Sequence, residues 1–135
     1  MEVNKSVYIK ILTSISIVAT LFHILILIKI IPYEITWGGK LKTDQEMYVF
    51  ETFSILVNLF FIFVLLQKGV FIKPFLGKKT VSIILWIFLA IFVLNTIGNL
   101  FAKTTFEKGI TILTLINAIL LWVIQSPNAQ VNKEQ

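Results

Sequence analysis

The chain has 135 residues, 57% of them hydrophobic and only 14% charged, with a formal net charge of +5. Soluble domains are about half apolar and roughly a quarter charged, so this balance excludes an ordinary water-soluble core. All twelve cations are lysines, which does not suit the bidentate recognition of nucleic acid that arginine provides, and the lack of cysteine excludes disulfides, thiolate metal sites and Cys-based catalysis.

The apolar residues come in unbroken runs. The first, over residues 7–31, is too long for the apolar core of a signal peptide and carries no A-x-A cleavage site. It predicts a retained transmembrane helix, closed by Pro32, which disfavours helical backbone at Ile31. A connector over 32–46 follows, with Tyr33 and Trp37 as interfacial aromatics and Gly38-Gly39 as a tight turn. It is the longest break in the apolar sequence and, with Glu51 just beyond it, concentrates four of the seven acids.

The second predicted span covers 47–67, with Glu51 in its first turns. The next connector, 68–80, carries four lysines and no acid, and Pro74 and Gly77 keep it from forming a long helix. A third span is predicted over 81–102 and a fourth, barely long enough to cross, over 109–125, leaving a polar tail over 126–135. The expected fold is an all-α four-helix transmembrane bundle in a single domain, with no internal repeat.

Orientation follows from the lysines. One side holds Lys5, Lys10, Lys68, Lys73, Lys78, Lys79 and Lys133, against Lys29, Lys40, Lys42, Lys103 and Lys108 on the other. The bias places both termini in the cytoplasm and turns the first connector outward. The expected location is the inner (plasma) membrane.

Polar side chains inside membrane spans are costly and usually turn into the bundle. Helical spacing lines up Thr13, Ser16, Thr20 and His23 on the first span, and Glu51, Ser54 and Asn58 on the second. It pairs Asn95 with Asn99, beside Gly98, on the third and aligns Thr111, Thr114 and Asn117 on the fourth. At 1.5 Å per residue, His23 lies ~12 Å, Glu51 ~6 Å and Asn58 ~16 Å from the outward ends of their spans. Four polar stripes meeting in one half of the bundle predict a cavity beneath the connector, lined by His23, Glu51, Asn58, Asn95, Asn99 and Asn117.

Each of these residues also has a plainer reading. Asparagine, serine and threonine commonly join helices within membranes, a lone histidine is most often a packed core residue, and Glu34 and Glu46 read as solvated loop acids. Glu51 is harder to explain structurally. With His23 it could relay a proton, bind a cation or hold an organic amine. A transition metal would need a third ligand, and no H-x-x-x-H spacing supplies one. Hydrolase, P-loop and dinucleotide fingerprints are absent.

The segments PYEITWGGKL (32–41), FETFSI (50–55) and LNTIGNL (94–100) resemble those of a family of small four-helix bacterial integral membrane proteins. That resemblance spans nearly the whole chain and implies the topology but no activity. The size is similar to that of small multidrug resistance transporters, but their key glutamate lies in the first helix, where this chain has none.

The expected function is binding or transport of a small cationic or polar ligand through an outward-facing pocket, with no catalytic residue, cofactor or metal assigned; a membrane enzyme acting on a lipid ranks third. The alternative is a non-catalytic partner or regulatory subunit of a larger membrane complex. Expected partners are the lipid bilayer, a second copy or another membrane protein, and no nucleic acid.

Overall fold

A computed structural model describes residues 4–127. Its elements are α1 (Lys5–Leu27), a short 3-10 pair over Tyr33–Ile35 and Trp37–Gly39, α2 (Asp44–Lys68), α3 (Lys78–Leu100) and α4 (Thr105–Gln125). Each α-helix is long and apolar enough to cross a membrane, and the described residues contain no strand. The tail expected over 126–135 falls, from 128 on, outside the described residues.

Side-chain burial is that of a bundle made for lipid. Val18, Phe53, Leu94 and Ile112, one from each helix, are all at least 64% exposed. Together with many similar neighbours they form an apolar girdle far larger than the few hundred Å² a water-soluble monomer tolerates. The interior is a column of Leu12, Phe61, Val64, Leu65, Leu85, Leu121 and Ile124, all buried, with Phe61 packed on Phe88 at a 4.5 Å ring separation.

The helices run up and down, α1 against α2 and α3 against α4, with α2–α3 and α1–α4 closing the ring. At one end the Lys5 ammonium donates to the Ser126 carbonyl, and Gln125 Nε2 donates to the Ser82 carbonyl at 2.9 Å. At the other end the connector folds over Ile26, Leu41 and Met47, a small second core.

Helix ends differ from the sequence expectation by a turn, for local reasons. α1 stops at Leu27, because Lys29 turns left-handed (φ 62°) and the chain closes a Schellman motif. Lys29 N–H bonds the Ile26 carbonyl and Ile30 N–H the Leu25 carbonyl. Ile28 to Ile31 therefore belong to the connector, not to the span. α2 starts three residues earlier than its apolar run, since Thr43 and Glu46 form a capping box. α4 gains its first turn similarly from Thr104, whose hydroxyl accepts from Glu107 N–H at 3.2 Å. α2 ends in a second Schellman motif with Val70 in the left-handed position (φ 57°).

Candidate functional site

The connector end is organised by two carboxylates. Glu51 sits two turns into α2, its side chain fully buried. His23, near the end of α1, faces it across the antiparallel pair, with Nδ1 2.6 Å from Glu51 Oε2. The other oxygen, Oε1, accepts from the Trp37 indole N–H at 2.8 Å. Indole only donates, so Oε1 is fixed as an acceptor and any exchangeable proton lies on the His23 side.

His23 is 23% exposed, and its Nε2 has no hydrogen-bond partner among the described residues. The imidazole thus connects a sealed carboxylate to a partly open nitrogen. A proton taken up at Nε2 can be balanced by release from Nδ1 toward Glu51, which is what a relay requires. Aromatic rings close the sides: Phe22 lies edge-on to His23 and stacks on Phe106 of α4, and Phe50 lies edge-on to Trp37.

Glu107 is the second carboxylate, 95% buried at the start of α4. Its Oε2 accepts from the Thr104 hydroxyl at 2.8 Å, and its Oε1 accepts from the backbone N–H of Gly38. Adjacent connector residues are therefore tied to different helices, Trp37 to α2 and Gly38 to α4. That turn is unusual: Trp37, Gly38 and Gly39 all have left-handed backbone (φ 54°, 68° and 69°). Two glycines take it without steric cost, whereas Trp37 takes it against its Cβ. The indole bond to Glu51 is the compensating contact.

Electrostatically the site is short of positive charge. Among the described residues the ion pairs are His23–Glu51 and Lys29–Asp44. Lys29 is spoken for at the surface, where the hydrogen bond it donates to Asp44 raises its pKa above the ordinary lysine value. Neither buried carboxylate is ion-paired with a lysine among the described residues. Glu107 has the helix N-terminus and two hydrogen bonds in compensation; Glu51 has only an imidazole and an indole. No group of three or more His, Asp or Glu is placed to hold a metal ion among the described residues.

Among the described residues none of the asparagines hydrogen-bonds to this pair. Asn58 is half-buried and donates to the Ser54 carbonyl of its own helix at 3.0 Å. Asn95 is exposed on the outer face of α3, and Asn99 beside it is half-buried. Neither makes a side-chain hydrogen bond among the described residues. Asn117 does face the interior, 7% exposed, with its Oδ1 unpartnered. Besides the Gln125–Ser82 contact at the other end, α3 and α4 are joined through Thr96, which donates to the Thr114 hydroxyl at 3.0 Å. On α1, Ser16 and Thr20 are buried but satisfied by carbonyls four residues back. Glu34 in the connector and Glu46, which the capping box places in the first turn of α2, are both exposed.

Comparison with known proteins adds no analogy. No family model, curated protein or solved structure matches this chain. The site stands on its own geometry.

Two of its members escaped the sequence reading. Glu107 is not singled out there, although Thr104-x-x-Glu107 before an apolar run is a capping-box pattern that marks an ordered acid. Trp37 read as an interfacial anchor, and nothing in its spacing from Glu51 foretells a bond across the left-handed turn.

Proposed function

We propose that the chain is a multi-pass protein of the inner (plasma) membrane, both termini cytoplasmic, that binds a small cationic or polar ligand beneath an outward connector. Glu51 supplies the charge and His23 the titratable gate. The observation that carries this reading is the full burial of Glu51, which is ion-paired with no lysine among the described residues. A carboxylate removed from water needs a partner charge or a proton. His23 can provide one while its open nitrogen leads to the surroundings. Phe22, Phe50 and Trp37 add ring faces of the kind that hold organic cations.

The test is thermal unfolding in mild detergent during titration with ammonium, methylammonium and tetraphenylphosphonium chlorides, against sodium chloride at equal ionic strength. Stabilisation by one of these cations that disappears in Glu51→Gln is the expected result. Equal stabilisation in wild type and Glu51→Gln would defeat the proposal. Orientation is checked with Lys40→Cys and Lys73→Cys, both at exposed positions. An impermeant maleimide should label the first in intact cells and the second only after permeabilisation.

One observation favours the partner-subunit reading. Asn95 and Gly98 lie on the exposed face of α3, and a Cβ at Gly98 would meet nothing within 4 Å. An amide with no bond of its own in lipid is well served by another helix. Purification that returned only a monomer would defeat that alternative.

A further inference from the structure

The opposite end of the bundle carries a second constellation, independent of Glu51. Gln67, near the end of α2, is 94% buried. Its Oε1 accepts from the backbone N–H groups of both Phe75 and Leu76, at 3.0 and 2.9 Å. Those two donors fix the amide orientation, because only the oxygen can accept them. Nε2 must then point the other way, and it is buried without a partner among the described residues. An amide that leaves two N–H bonds unmet in a dry place is short of an acceptor.

Gln67 also lines a cavity of about 260 Å³, together with Lys68, Leu76, Lys78 and Val81 among others. It opens beside the first turn of α3. There Gly77 supplies no side-chain cap, and the N–H groups of Lys78, Lys79 and Thr80 have no hydrogen-bond partner among the described residues. A helix N-terminus concentrates partial positive charge and free donors. Four lysines, Lys68, Lys73, Lys78 and Lys79, surround this end, and the sequence between Glu51 and Glu107 holds no acid.

We infer that this cavity is a binding site for a phosphate-type oxyanion. Gln67 Nε2 and the α3 N–H groups supply directed hydrogen bonds, and Lys68 and Lys78 supply the charge. The phosphate of an anionic lipid headgroup and free inorganic phosphate present the same oxygens. Phe75 and Val70, 82% and 66% exposed, flank the site with apolar surface on which acyl chains could rest.

The experiment follows thermal unfolding of the full chain in uncharged detergent in two arms. One is titrated with inorganic phosphate against chloride at matched ionic strength, the other with phosphatidylglycerol against phosphatidylcholine in mixed micelles. The variants are Gln67→Glu and Lys78→Gln. Gln67→Glu keeps an acceptor for Phe75 and Leu76 while replacing the free donor with negative charge; Lys78→Gln alters an exposed side chain, so folding is retained if the first variant fails. A rise in Tm with phosphatidylglycerol alone assigns a lipid headgroup, and a rise with phosphate assigns the free anion. Either must weaken at least tenfold in apparent affinity in the folded variants. No rise in wild type in either arm, or a rise undiminished in the variants, overturns the inference.

Discussion

Replacing Trp37 by phenylalanine isolates a single hydrogen bond. Phenylalanine keeps a ring against Phe50, which lies 5.0 Å away edge-on, and keeps the Cβ that the left-handed backbone already accommodates. The indole N–H is lost, and Oε1 of a fully buried carboxylate is left without a donor. Hydrogen bonds to charged groups contribute about 1.5–3 kcal/mol, whereas interhelical side-chain bonds in membrane bundles average only ~0.6 kcal/mol. The expected loss is therefore about 2 kcal/mol if Glu51 carries charge in the folded protein. Reversible unfolding of the detergent-solubilised protein measures it. A double-mutant cycle with Glu51→Gln should show a coupling above ~1 kcal/mol, since the two residues are in direct contact. Trp37→Phe and Glu51→Gln adding within ~0.3 kcal/mol would refute the view that the indole holds the carboxylate.

Glu107→Ala should destabilise by about 1–2 kcal/mol through loss of its bonds to Gly38 and Thr104. Hydrogen exchange should then quicken at Gly38 before it quickens in the helices. Val70→Gly should stabilise by about 1 kcal/mol, because it relieves a β-branched residue at φ 57° that is 66% exposed; unfolding midpoints give the sign. Asn95→Leu should leave the stability of the monomer within ~0.5 kcal/mol, since its amide is exposed and unbonded. A larger loss would mean that the residue is covered in the detergent-solubilised protein.

The helices were legible because lipid imposes a length and a composition on any segment that crosses it, and both are written locally. Their ends were less so: Pro32 looks like the stop for α1, yet the chain turns at Lys29, a residue with no special tendency to be left-handed. His23 and Glu51 could be paired from their chemistry and their shared place in the outward half of the membrane, since two helices joined by one connector run antiparallel and bring those halves together. Asn95 could not be placed that way. Its spacing to Asn99 is as good as any stripe, but a stripe fixes only a shared helical face. Asn95 stands two turns along nearly the same face from buried Phe88 and is nonetheless exposed, so a shared face does not fix burial along the whole of α3.

The WGG turn links the two halves of the molecule in a way that limits how they can move. α1 with α2, and α3 with α4, are each a hairpin. At the connector end the hairpins are joined across by the Phe22–Phe106 stack and by the bond from Gly38 to Glu107. Trp37, one residue earlier, grips the first hairpin through Glu51. If the hairpins rock apart, the strain falls on one peptide unit held from both sides, long before it reaches the phenylalanine column below. Whatever changes the charge on Glu51 is felt directly by that peptide. The turn can therefore serve as a latch, held to one hairpin by an indole on a buried carboxylate and to the other by a helix cap.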